Sequence, residues 1–308
     1  MASRRRIGSA ATVTAVFLFS VLSSGGLVHA AGGTADNVVG QIDFFHNGQN
    51  FIDGRGLSFP DGIAIDPVGG EVYVADYQNN RVLGWKSATE FAGNQSADLV
   101  IGQPDLYSSY CNRIPGAGPH SSATGTPNQN TLCGPEGVAI DRAENVYVVD
   151  GGNNRLLVYS NPFASLPGQN SNFNAIRVFG QGSTGSEFTL NNAAAGQTGL
   201  GFPTAVAVDS SSNVFVMDAG NNRVLEYFAG DVAADRVFGQ TNFNSNLQNQ
   251  GGAATGATLS TSANDQVGLA VDGHGNLYAA DPSNNRVVEY NGPFTTVGND
   301  PPANITSA

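Results

Sequence analysis

Pro60-Asp61-Gly62-Ile63-Ala64-Ile65-Asp66, continued by Val72-Tyr73-Val74-Ala75-Asp76-Tyr77-Gln78-Asn79-Asn80-Arg81-Val82-Leu83-Gly84-Trp85, is the stretch whose reading decides the fold. It returns three times. Gly137-Val138-Ala139-Ile140-Asp141 leads to Val146-Tyr147-Val148-Val149-Asp150 and Asn153-Asn154-Arg155-Leu156-Leu157. Ala205-Val206-Ala207-Val208-Asp209 leads to Val214-Phe215-Val216-Met217-Asp218 and Asn221-Asn222-Arg223-Val224-Leu225. Gly268-Leu269-Ala270-Val271-Asp272 leads to Leu277-Tyr278-Ala279-Ala280-Asp281 and Asn284-Asn285-Arg286-Val287-Val288. Arg81, Arg155, Arg223 and Arg286 are separated by 74, 68 and 63 residues. A repeat with variable insertions is the signature of a repeat architecture.

Inside each copy the apolar period is two, in short β-branched and aromatic runs bounded by Asp, Gly and Pro, which reads as strands. Three strands follow in the first copy, over 63–65, 72–75 and 82–85. A fourth comes from a second recurring element: Leu99-Val100-Ile101-Gly102-Gln103, Arg177-Val178-Phe179-Gly180-Gln181 and Arg236-Val237-Phe238-Gly239-Gln240. The last copy has no such element after it. Instead Ala35-Asp36-Asn37-Val38-Val39-Gly40-Gln41 opens the chain beyond its first thirty residues. The expected fold is all-β, a β-propeller of four four-stranded blades over 31–295, its ring closed by the N-terminal strand at 35–41 pairing with the last blade. Residues 296–308 read as a disordered tail.

The pattern Pro-x-Gly-Ile/Val-Ala-Ile/Val-Asp, then Val-Tyr-Val-Ala-Asp-x-x-Asn-Asn-Arg-Val, resembles NHL repeats, a propeller family. Known members commonly have six blades, and this chain offers four with long connections between them.

Asp and Arg five positions apart, Asp76/Arg81, Asp150/Arg155, Asp218/Arg223 and Asp281/Arg286, stand at the two ends of a tight hairpin where a charge-assisted pair can hold the turn. The Asn-Asn between them tolerates a left-handed backbone. Four ligand-binding arginines are the alternative, and a residue repeated in every blade is usually what a blade needs to fold. Asp66, Asp141, Asp209 and Asp272 read as turn caps, with a ring of carboxylates around a cation as the other reading.

Residues 1–30 read as a secretory signal peptide: Arg4-Arg5-Arg6, a short apolar core from Ala15 to Leu22, and Val28-His29-Ala30 before the cut. Whether the route is general or twin-arginine stays open. The expected location is secreted, extracellular or periplasmic. The formal net charge is −12, falls by three more units when the signal's arginines leave, and Lys86 is the one lysine. Such a surface repels phosphate backbones and anionic lipid, so no nucleic-acid partner and no membrane insertion are expected. Cys111 and Cys133, the two cysteines, are expected to form a disulfide in an exported chain.

Function on repeat scaffolds usually lies in what does not repeat. The variable connections are 42–56, 104–131, 182–199 and 241–262, expected on the face that carries the hairpins. Their aromatics, with Phe45, Tyr107, Tyr110, Phe188 and Phe243 as the candidate binding residues, suit an extracellular protein or glycan. His46, His120 and His274 occupy unlike positions and form no catalytic pattern. The resulting expectation is a non-enzymatic binding or scaffold propeller without cofactor. The alternative, implied by enzymes related to NHL proteins, is a metal-dependent lyase or lactonase with a Ca²⁺ ion in the channel, for which Asp61 and Glu136 are the nearest acidic residues.

Overall fold

A computed structural model describes residues 35, 37–41, 43–45, 47–48, 52–114, 125–166, 168–262, 267–292, 294 and 298–299. The signal segment lies outside them. Every copy of the repeat forms an antiparallel sheet that starts from its inner strand. β1 (Pro60–Ile65), β2 (Val72–Asp76), β3 (Arg81–Trp85) and β4 (Leu99–Ile101) make the first sheet in that order. The second is β5 (Pro135–Ile140), β6 (Val146–Asp150), β7 (Arg155–Tyr159) and β8 (Arg177–Phe179). The third is β9 (Pro203–Val208), β10 (Val214–Asp218), β11 (Arg223–Tyr227) and β12 (Arg236–Phe238). The fourth is β13 (Leu269–Val271), β14 (Leu277–Asp281) and β15 (Arg286–Tyr290).

Period-two alternation gives each sheet two apolar faces, and the facing sides of successive sheets pack together. Tyr73, Ala75 and Val82 of the first sheet join Val146, Val148 and Leu157 of the second. Val149 and Leu156 on the opposite face of the second join Val214, Val216 and Leu225 of the third. Phe215, Met217 and Val224 of the third join Leu277, Ala279 and Val288 of the fourth. The inner strands therefore neighbour one another in chain order, β1 on β5, β5 on β9, β9 on β13. That is the radial stacking of propeller blades.

Blade count and strand order match the sequence reading, and the closing strand does not. Among the described residues the last sheet has three strands, and 37–41 form no ladder with it. Val39 packs on the core of the first blade instead, and Gly40, at φ +88°, lies against Leu57. Gly102, Gly180 and Gly239, at φ +91°, +86° and +85°, lie in the same way against Leu132, Leu200 and Leu259 of the blade that follows each. The segment thus occupies the usual place of an outer strand relative to the next blade, without the preceding blade beside it. Within 296–308, Gly298–Asn299 form a short strand, β16, parallel to β12.

Candidate functional site

The hairpin between each second and third strand is built alike four times. A three-residue 3-10 turn ends on Asn80, Asn154, Asn222 or Asn285, all left-handed at φ +53° or +54°. The preceding Asn amide donates to the Asp carboxylate, and the Arg Nε donates to the same oxygen at 2.7–2.8 Å. The Asp–Arg pairs hold the turn as the spacing implied. Burial pushes the carboxyls of Asp76, Asp150 and Asp218 upward from the ordinary value, and arginine, backbone N–H and asparagine amide oppose it.

The arginines do more than hold turns. Arg81 donates to the carbonyls of Asp53 and Gly56 in the connection before its blade and of Leu106 in the connection after it. Arg155 does so to Asn128, Thr131 and Phe188, and Arg223 to Gly196, Gly199 and Phe243. Buried guanidiniums therefore pin the variable connections to the hairpin face. One donor group serves several acceptors because the guanidinium fork has five N–H groups.

The aromatic candidates divide on these coordinates. Phe45, Tyr107 and Tyr110 are 93%, 73% and 42% exposed. Phe188 and Phe243 are instead half-buried against blade cores, their carbonyls clamped by Arg155 and Arg223, so packing accounts for both. The Tyr107–Tyr110 segment is fixed at short intervals. Arg81 holds the Leu106 carbonyl, Asn80 the Ser109 carbonyl and Gln103 the Tyr110 carbonyl. Cys111 beside it is bonded to Cys133.

The same face opens on a cavity of about 270 Å³ where the first residues of all four inner strands converge. Asp61, Glu136, Thr204 and Val267 occupy equivalent positions around it. Glu136 is 6% exposed, and burial, then the neighbouring Asp61 charge, pushes its carboxyl up to about 8. Asp61 is raised by burial as well. The Thr204 hydroxyl, buried in the wall, has no hydrogen-bond partner among the described residues. Tyr77 is pushed up to about 12 by burial and by these two acids. Two neighbouring carboxyls in a polar cavity, both raised by burial, can bind an amine or hydroxyl donor, or pass a proton.

Asp66, Asp141, Asp209 and Asp272 lie at the far end of the inner strands and bond their own turns. Asp141, for example, accepts from the Ala143 and Asn145 N–H groups and from the Asn145 amide. No carboxylate ring forms, and among the described residues no group of three or more His, Cys, Asp or Glu side chains is placed to hold a metal. His274 is 89% exposed on its side chain, whereas His46, His120 and Phe51 fall outside the described residues.

The family model for the NHL repeat matches residues 57–85 and 132–159, the first two copies of the motif. The chain carries NHL repeats. Teneurin-3 of Danio rerio is 28% identical to this NHL chain over 167 residues, which is 53% of the chain and 6% of that protein. Among solved structures, a nidogen/laminin complex aligns over 76% of the chain and 60% of its own at 17% identity, TM-score 0.42. A streptogramin B lyase aligns over 77% and 55% at 10% identity, TM-score 0.38. The chain thus spans a small part of the curated relative and somewhat over half of these structures.

In sequence, Gln103, Gln181 and Gln240 mark only the ends of strands. Each donates to the backbone carbonyl of the left-handed Asn in the hairpin beside it, at 2.8, 2.6 and 3.0 Å. The recurrence of Gly-Gln was the available signal, but its partner lies 18 to 27 residues away.

Proposed function

We propose that this NHL chain is a secreted, non-enzymatic binding module that recognises an extracellular protein or glycan through its hairpin face. The observation behind this reading is the Tyr107–Tyr110 segment: two exposed aromatic rings on a backbone held at residues 106, 109, 110 and 111. Exposed aromatics on a rigid backbone lose little entropy on binding, which is the usual economy of a recognition surface. Phe45, 93% exposed, is the third free ring of the candidate set. The disulfide suits an oxidising compartment, and no described helix is long and apolar enough to cross a membrane.

The test is a glycan and peptide array probed with residues 31–308, followed by titration of the hits with Tyr107→Ala/Tyr110→Ala. At least tenfold weaker binding at unchanged melting temperature is expected. Hits bound equally well by the variant would remove the hairpin face from the reading.

A second reading, a lyase or lactone hydrolase working in the channel, has one observation in its favour: the Glu136–Asp61 pair, with Glu136 poised near neutrality. It calls for a tightly held Ca²⁺ or Zn²⁺ in the purified protein and for turnover that Glu136→Gln abolishes. Metal analysis after dialysis separates the two readings.

A further inference from the structure

Each junction between successive blades is fastened by one set of bonds. The left-handed Asn of the leading blade accepts a backbone N–H from the next blade's entry strand: Gly134 N–H to Asn80 Oδ1, Phe202 N–H to Asn154 Oδ1, Thr261 N–H to Asn222 Oδ1. Its carbonyl accepts from the Gly-Gln glutamine, and the Arg beside it donates Nη1 to a carbonyl of the next connection. The set is present at all three internal junctions.

Both halves of a fourth set exist and are unmated. On the last blade Asn285 is exposed and its side chain makes no hydrogen bond among the described residues, whereas Asn80, Asn154 and Asn222 are buried. Arg286 bonds Asp281, Thr255 and Thr258 but lacks the Nη1 bond to a following connection. On the first blade Gln41 donates to the Gly48 carbonyl seven residues on, as Gln103 does to Tyr110 and Gln240 to Leu247, yet has no hairpin carbonyl. Phe59, the counterpart of Gly134 and Phe202, is 61% exposed at the same positive φ, +49°.

The unmated half on the first blade is a groove. A pocket of about 310 Å³ is lined by Gly40, Gln41, Gly48, Leu57, Phe59 and Pro60 among others. Their counterparts Gly102, Gln103, Tyr110, Leu132, Gly134 and Pro135 surround the Asn80 hairpin at the first junction. The apolar residues agree. Val287 is 66% exposed where Val82, Leu156 and Val224 are fully buried, and Ile63 is 56% exposed where Val138 and Val206 are 7%. Gly268 has nothing within 4 Å of an added Cβ, whereas Gly62 and Gly137 face the next inner strand at 2.5 and 3.0 Å.

We propose that the groove lined by Val39, Gly40, Gln41, Asn47, Gly48 and residues 57–60 receives the Pro282–Arg286 hairpin of a second copy of this chain, so that two chains associate head to tail. Within one chain both halves are present and unmated, and β1 and β13 do not pack as the other inner strands do. The joint is heterologous, last blade on first, and a two-fold axis makes it twice and leaves neither half open. The glycine at 268 then admits the partner's first inner strand, as Gly62 and Gly137 admit theirs.

The test mixes two single variants of the mature chain, Phe59→Cys and Asn285→Cys, under mild oxidation, with light scattering of the unmodified chain alongside. A covalent one-to-one dimer from the mixture, with a dimer mass for the parent that Val287→Glu reduces to monomer, is expected. Val287 is already exposed, so that variant still folds, which circular dichroism checks. A parent monomeric at micromolar concentration overturns the proposal. So does a Phe59→Cys/Asn285→Cys double variant that crosslinks within one chain, which would mean that the blades close on themselves.

Discussion

Removing Arg155 tests whether the repeated arginines hold turns alone or the whole connection layer. Its side chain and that of Asp150 are both fully buried, 2.8 Å apart, and the guanidinium also serves the carbonyls of Phe188, Asn128 and Thr131. Arg155→Ala strands one buried carboxylate, costing about 3–5 kcal/mol, and orphans three carbonyls, each worth about 1–3 kcal/mol where water cannot enter. Relaxation will recover part of this, so at least about 4 kcal/mol is expected, against a total stability of about 5–15 kcal/mol. Arg286→Ala is the internal control. That side chain is 20% exposed, so water can reach the Asp281 carboxylate and the two carbonyls it leaves, and a loss smaller than that of Arg155→Ala, about 2–3 kcal/mol, is expected. Urea unfolding followed by the fluorescence of Trp85, the one tryptophan, and by far-ultraviolet circular dichroism reads both variants. The two probes must coincide for the free energies to be comparable. Equal losses in the two variants would refute the reasoning, as would full rescue by Arg155→Lys, whose point charge cannot reach four acceptors at once.

Glu136 titrates with a folded value near 8 against an ordinary value of 4.5, so its neutral form is the one the fold prefers. The associated stability is complete below about 4.5 and is lost as pH rises through about 8, amounting to a few kcal/mol. Glu136→Gln is expected to flatten that slope and to be more stable than the parent at pH 9, as thermal melts across pH will show. Replacing Cys111 and Cys133 with serine opens a loop spanning 22 residues and is expected to cost about 3 kcal/mol, with proteolysis appearing first between 104 and 131. Gly62→Ala places a Cβ 2.5 Å from the Glu136 carbonyl oxygen and is expected to destabilise by about 1–3 kcal/mol in the same unfolding assay.

The strands were legible because a two-residue alternation is local: Val72, Val74 and their neighbours choose opposite faces whatever surrounds them. The hairpins were legible for the same reason, since Asp, Asn-Asn and Arg lie within six residues and their bonds close within the turn. The Cys111–Cys133 bond followed from there being two cysteines in a chain with an expected export signal. That Phe188 and Phe243 pack on blade cores while Tyr107 and Tyr110 stand exposed is not legible in sequence, because exposure depends on which blade face stands nearby, and no short window contains that face. The closing strand failed in an instructive way: residues 37–41 carry the outer-strand pattern and sit on the first blade as outer strands do, but pattern alone does not bring the last blade to them.

Sequence by itself determined four blades, their strand order, the hairpin chemistry and the acidic character of the surface. Only the tertiary structure decided that Asp61 and Glu136 share one cavity, that each arginine holds the connections on both sides, and that one junction is left unmated. The division follows from range. A hairpin encodes its own contacts, whereas the distance between residues 75 positions apart is set by how whole sheets stack, and that is written in the sum of many apolar faces rather than in any motif.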